Sequence, residues 1–365
     1  MNHSPLFTAL KGNNISLKNR LAVAPMTRVT ASEDGCASEK MKRYYASLAR
    51  GGFGLIITEG IYIDRAWSQT YAFQAGLTST AQVNAWREIT DAVHRQEAAI
   101  FAQIQHAGAL SQGNHYVTET VAPSAIRPKG EQMPFYRGEG QYPLPRELSD
   151  SEIEEIITNF ADAAARAVHE AGFDGVEIHG ANGYLLDQFF TEYSNLRTDR
   201  WGGDTAGRMT IGLEVIKAVR ARLGADVPVG IRISQGKVND FVHKWGKGVE
   251  DARVIFSLLE KSGVDFIHVT EYEAWEPAFA DDERSLVELA HQYAPSLTLI
   301  ANGALHDPGR AEEVMAMGAD LIALGRGALA NHDWPERVKA DQPLNEFDRD
   351  ILSPIADIKE RELNQ

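Results

Sequence analysis

The sequence predicts a single (β/α)8 barrel, an α/β fold of parallel strands alternating with helices. Three observations carry this. Short β-branched or aliphatic runs alternate with longer amphipathic stretches along almost the whole chain, and the runs number eight. Most of them are continuously apolar, as strands buried on both faces of a parallel sheet are. No internal repeat beyond the βα unit, low-complexity tract or linker divides the 365 residues, so one domain is expected over 1–365, with about 345–365 as a peripheral tail whose mixed charges read as surface.

The expected strands are Leu21–Ala24, Leu55–Thr58, Ala99–Ile104, Gly175–Ile178, Val229–Ile233, Phe266–Thr270, Thr298–Ala301 and Leu321–Leu324. Ahead of them, Leu6–Leu10 and Ile15–Leu17 around Gly12-Asn13-Asn14 form a small hairpin placed to close the barrel floor. Helical periodicity covers Thr78–Gln96, Glu152–Ala171, Arg208–Leu223, Gly248–Ser262, Glu283–Gln292 and Asp307–Met317. Ser149-Asp150-Ser151-Glu152 reads as a capping box. Gly172, Gly224, Gly263 and Gly318 punctuate helix ends just before the next strand. Two long loops break the rhythm, 106–148 after strand 3 and 271–282 after strand 6, and loops of that length on a barrel usually serve function.

Composition narrows the partners. Lys plus Arg is 36 and Asp plus Glu is 51, a formal charge of −15 that repels phosphate backbones and weighs against nucleic acid. The one cysteine, Cys36, allows no disulfide framework, cysteine zinc site or iron–sulfur cluster within the chain. Met1-Asn2-His3-Ser4-Pro5 lacks the basic start of a secretion signal and no apolar run of about 18 residues spans a bilayer, so a cytoplasmic protein without membrane contact is expected, with no metal site.

Barrel active sites lie at the C-terminal ends of the strands. Those positions hold Pro25-Met26-Thr27, Glu59-Gly60, Gln103 with His106, His179, Arg232, Thr270, Asn302-Gly303 and Gly325-Arg326. Any one of them more often caps a helix or satisfies a loop amide than does chemistry; the set converging on one mouth is the signal. Gly303 and Gly325-Arg326, after strands 7 and 8, offer backbone N–H groups and a cation where barrels bind phosphate. His179 and Asn182 lie three residues apart, one helical turn, with Tyr184 following. Two donors on a carbonyl oxygen plus a phenol acid would stabilise an enolate, although a helix-start histidine beside a structural tyrosine fits the same letters.

These residues resemble the old yellow enzyme family of flavin-dependent ene-reductases. The resemblance runs from about residue 5 to 340, through Leu17-Lys18-Asn19-Arg20, Ala24-Pro25-Met26-Thr27-Arg28, Thr58-Glu59-Gly60, Gln103-Ile104-Gln105-His106-Ala107-Gly108, Val121–Ile126 and, at greatest length, Gly175–Gly203. It implies noncovalent FMN on Pro25, Met26, Thr27, Gly60, Gln103, Arg232, Gly303, Gly325 and Arg326. Gln103 would meet the pyrimidine edge, Arg232 the N1/O2 side, and Thr27 the flavin O4, tuning the potential. It further implies NADPH or NADH as reductant in ping-pong turnover and a small activated alkene as substrate. His179 and Asn182 would grip the substrate oxygen while hydride passes from flavin N5 to the β-carbon and Tyr184 protonates the α-carbon. Tyr71 falls near a pocket-lining family position, and the aromatic loop around Trp275 would narrow the pocket. Asn182 stands where some members have histidine, and Thr27 where one branch has cysteine.

Two other classes compete. An aldolase or isomerase acting on a phosphorylated sugar would explain the phosphate site, but no Schiff-base lysine stands at a strand end, Lys237 being read as a loop residue beyond strand 5. A flavin-dependent RNA modifier would want a basic face and a catalytic cysteine, and a non-catalytic flavin carrier would not need the donor pair.

Overall fold

In the computed structural model, which describes residues 4–364, eight strands fall on the eight apolar runs. They are β1 (Leu21–Val23), β2 (Leu55–Ile57), β3 (Ala99–Gln105), β4 (Gly175–Asn182), β5 (Val229–Lys237), β6 (Phe266–Thr270), β7 (Thr298–Asn302) and β8 (Leu321–Leu324). Each pairs in parallel with the next, and β8 pairs with β1, so the sheet closes on itself. Met1-Asn2-His3, the start of the segment searched for a leader, lie outside the described residues. Among those residues no helix is long and apolar enough to cross a membrane.

Strand alternation decides what fills the barrel. Near the floor, Phe101 of β3 stacks on Phe266 of β6 with ring centroids 5.6 Å apart. Gly175 and Gly230 make room for them: a β-carbon at Gly175 would lie 2.9 Å from the Phe101 ring, and one at Gly230 2.3 Å from the Phe266 ring. Two residues further along the same strands stand Gln103, Glu177, Arg232 and His268, all buried, so the interior changes from aromatic to polar on the way to the mouth. The strands are thus less uniformly apolar than their runs suggest.

The N-terminal hairpin is present but shorter and later than expected. Its strands are Leu10–Gly12 and Ile15–Leu17, while Pro5–Phe7 is a turn of 3₁₀ helix because Ser4 caps it and Pro5 opens it. Asn13 and Asn14 both take positive φ (47° and 61°), the geometry of a two-residue hairpin turn. Leu10, Ile15 and Leu17 pack with Leu55, Phe101 and Leu321, sealing the floor.

The capping box at Ser149/Glu152 is formed and starts a helix over Asp150–Ala165, continued by a wider turn through Arg166–Glu170. Helices at Thr80–His94, Thr210–Leu223, Val249–Glu260 and Pro308–Ala316 answer four other predictions. The helix expected from Glu283 instead begins at Leu286: Ser285 is its N-cap, and Asp282–Ser285 pairs with Pro277–Phe279 as a second hairpin. A helix over Glu39–Arg50 was not anticipated.

The C-terminal tail is not peripheral. Glu362 and Arg28 are completely buried and form a bidentate ion pair, both N–O distances 2.7 Å. Arg28 also donates to the carbonyls of Ala356 and Asp357, and the Ile358 amide donates to Thr30. Ile351, Ala356 and Ile358 are buried with it. Most of the tail's charges do lie at the surface, but Glu362 is paired inside.

Candidate active site

A cavity of about 450 Å³ opens at the C-terminal ends of the strands, within the range of roughly 300–1,000 Å³ usual for small-molecule sites. Pro25, Met26, Thr27, Gly60, Gln103 and Arg232 line it. So do His179, Asn182, Tyr184, Gly303, Gly325 and Arg326, so the structure brings together every strand-end residue expected to bind or react.

His179 and Asn182 reach this mouth by a different route from the one their spacing suggested. They sit on a strand, not a helix, and residues three apart on a strand point to opposite faces. Asn182 returns to the cavity because its backbone is left-handed (φ 61°), at a register break between β4 and β5, with its amide donating to Ser234 Oγ at 2.8 Å. The Ala181 amide donates to His179 Nδ1 (3.3 Å), which leaves Nε2 carrying the ring proton. Burial, then the charge of Arg232 and His268, hold His179 well below the usual imidazole range, so the ring is neutral and a donor. Neither the His179 Nε2 nor the Asn182 side-chain amide has a hydrogen-bond partner among the described residues.

Tyr184 is buried, packs edge-on against His179 (centroids 4.9 Å apart) and shares a 2.6 Å hydrogen bond with Tyr71 Oη. Burial pushes its phenol up, keeping the proton on. Either hydroxyl of the pair can be the donor, and when Tyr71 donates the Tyr184 hydrogen is left for a ligand. Tyr71 itself does not line the cavity: it stands behind Tyr184, its ring tilted 40° against Tyr136 with centroids 4.4 Å apart. The loop segment carrying Tyr184 is pinned from below. Asp187 accepts from the Gly183 amide (2.7 Å) and from Lys237 Nζ (2.8 Å), both side chains buried. Lys237, read as a loop residue, is the last residue of β5 and serves this pair.

Trp275 is not in the pocket. Its ring lies under the Arg310 guanidinium, 4.4 Å away, and Tyr272 of the same loop lines the mouth instead. The long loop after β3 contributes Met133, Phe135 and Tyr136, the last donating to the Thr27 carbonyl (3.1 Å). The tail adds Phe347 and Leu352. Their contacts span distances of sequence that no local pattern records.

The lining fits a flat, electron-rich ring carrying an anionic arm. Arg232 is buried, donates to Asn302 Oδ1 (2.8 Å), and has an Nε with no partner among the described residues. Arg326 pairs with no carboxylate there and lies over the Tyr272 ring at 5.8 Å. A β-carbon at Gly303 (φ 147°) would come 2.5 Å from the Glu271 carbonyl, and one at Gly60 would collide with Gln105, so bare backbone is required at both.

Comparison with known proteins identifies the family. The profile of the NADH:flavin oxidoreductase / NADH oxidase family matches residues 5–345. The chain belongs to this family. It is 36% identical over 348 residues to an NADH oxidase of Thermoanaerobacter brockii, covering 93% of this chain but only 51% of that longer protein. It is 37% identical to 12-oxophytodienoate reductase 1 of Oryza sativa subsp. japonica, covering 94% of this chain and 88% of the other. The old yellow enzyme homologue of Zymomonas mobilis superposes with a TM-score of 0.86 at 30% identity, over 99% of this chain and 98% of that one. The resemblance to old yellow enzyme therefore holds, and with it the FMN cofactor and the nicotinamide reductant. This flavin oxidoreductase carries the family's cofactor on a closed parallel barrel.

Proposed function

We propose that this enzyme reduces activated C=C bonds, in α,β-unsaturated carbonyl compounds and nitroalkenes, with NAD(P)H in ping-pong turnover. The observation that carries the reading is the convergence on one mouth of two donors without a partner among the described residues, His179 Nε2 and the Asn182 side-chain amide, beside a protonated Tyr184. An aldolase or isomerase would leave all three idle.

We assign FMN to Pro25, Met26, Thr27, Gly60, Gln103 and Arg232 around its ring and to Gly303, Gly325 and Arg326 around its phosphate. When bound, FMN supplies the hydride, received from the nicotinamide and passed to the alkene. The protein's own part is electrostatic and geometric. His179 and Asn182 donate to the substrate's carbonyl or nitro oxygen, where negative charge grows as the β-carbon is reduced. A neutral His179 can donate there without placing a second cation beside Arg232. Tyr184 holds its proton until the α-carbon needs it, and once it is given up Tyr71 can only donate to the phenolate oxygen, offsetting the charge left behind. A cytoplasmic setting, where nicotinamide dinucleotides carry reducing power, goes with this reading.

The test is anaerobic: the yellow protein is reduced with NADPH or NADH, then mixed with a panel of enones, maleimides and nitroalkenes. Reoxidation by members of the panel, with stoichiometric saturated product, is expected. Reduction by nicotinamide with no reoxidation by any activated alkene would refute it.

A further inference from the structure

We infer that Glu177 is a positioning residue that sets the orientation of Gln103 and the charge balance around Arg232, a reading that rests on the FMN placement proposed above. Glu177 lies on β4 inside the barrel, two residues before His179, and is completely buried. In the parallel register it stands beside Gln103 of β3 and Gly230 of β5. Its Oε1 accepts from Gln103 Nε2 at 2.8 Å, and its Oε2 shares a hydrogen bond with His268 Nδ1 at 2.7 Å. Both carboxylate oxygens are thus engaged.

That fact fixes the Gln103 amide. An amide side chain can present nitrogen or oxygen to a given neighbour, and here nitrogen faces Glu177. Oε1 is therefore turned away from the carboxylate, and it has no donor among the described residues, so it is free to accept from a ligand in the cavity that Gln103 lines. A flavin pyrimidine edge, with an N–H between two carbonyls, needs an acceptor at that point. Glu177 acts at longer range on Arg232 as well. Among the described residues Arg232 hydrogen-bonds only to the neutral Asn302 side chain. Glu177 pairs in register with Gly230, two residues before Arg232, and bonds His268, the register partner of Arg232, so its carboxylate is the buried acidic group set to offset that charge. An aliphatic side chain would fill the position of Glu177 without the cost of burying a charge.

The experiment measures FMN dissociation constants for the reconstituted apoproteins and midpoint potentials for the holoproteins. It compares wild type, Glu177→Gln, Glu177→Asp, Gln103→Ala and the Glu177→Gln/Gln103→Ala double variant. Glu177→Gln, which keeps the shape, is expected to weaken FMN about tenfold, the scale of a lost hydrogen bond to a charged group. It should also move the potential positive, because a buried anion near the flavin is gone. Glu177→Asp keeps the charge but shortens the reach, so it should weaken FMN with little change of potential. The double variant should bind FMN no more weakly than Gln103→Ala alone. Additive losses, or a potential in Glu177→Gln that is unchanged or more negative, would overturn the role of Glu177. Unchanged FMN affinity in Gln103→Ala would overturn the flavin placement and this inference with it.

Discussion

Replacing Glu362 with alanine should unfold this protein more easily than any ordinary tail substitution. The mutation removes both oxygens that Arg28 grips at 2.7 Å and leaves a guanidinium with no exposed side-chain surface. Two backbone carbonyls, of Ala356 and Asp357, and the face of Tyr44 remain, but no carboxylate among the described residues hydrogen-bonds the guanidinium. Stripping one partner from a buried ion pair costs about 3–5 kcal/mol, because the other charge stays buried and unpaired. In a chain of this size that corresponds to a melting temperature lower by roughly 4–7 °C. Thermal unfolding followed by circular dichroism measures the loss. Because Phe347 and Leu352 of the same tail line the cavity, KM for an enone should rise as well. The double variant Arg28→Met/Glu362→Met is the discriminating control: with both charges gone it should recover most of the stability. A Glu362→Ala protein that melts with wild type, or a double variant that melts as low as the single one, would refute the argument.

Other outcomes follow from the site. Arg232→Ala should weaken FMN binding and lower the midpoint potential, since the cation beside the flavin is lost; an unchanged potential would place the flavin elsewhere. His179→Ala and Asn182→Ala should each slow reoxidation by cyclohexenone about 10²–10³-fold and weaken phenol binding, read from the charge-transfer band. Tyr184→Phe should leave reduction by the nicotinamide near normal and slow enone reduction about 10²–10⁴-fold, with a smaller loss for nitroalkenes; equal slowing of both half-reactions would make Tyr184 a structural residue. Burial raises Glu59 to about 7 in the folded protein, so it binds a proton on folding and its contribution to stability, full below about 4.5, is lost as pH rises through 7. Glu59→Gln should therefore gain on wild type across that window, by at most about 3 kcal/mol, in denaturant melts at pH 4.5 and 8.

What the sequence disclosed and what it hid divide along one line, the reach of local pattern. The eight strands were legible because each is an aliphatic run with helical periodicity between it and the next. Most of the candidate site followed, because a barrel puts every strand end at one mouth whatever the loops do. Glu177 and His268 were missed: each is a single polar letter in an apolar run, and the two meet across 91 residues. Strand alternation, Phe101 then Gln103 and Phe266 then His268, was the signal that could have found them. Arg28 and Glu362 are 334 residues apart, so the tail's charges carried no mark of their pairing. Trp275 was assigned to the pocket on aromatic content, which says nothing of direction, and Tyr272 faces it instead. His179 and Asn182 meet at the mouth by another route than their spacing suggested, since three residues mean one turn of helix only where there is a helix.

The left-handed backbone at Asn182 reaches beyond its own geometry. Outside glycine, few residue types settle at positive φ, and asparagine, aspartate and histidine are the enriched ones. Aspartate, ionised, has no hydrogen to donate. A chain that must bend back at this point and still offer an N–H to an oxygen has two choices, asparagine and histidine. The backbone thus acts as a filter on the vocabulary of the site before any substrate enters it. By the same filter glutamine, which carries the identical amide on one more methylene, is the poorer exchange, and histidine, chemically the more distant residue, is the conservative one.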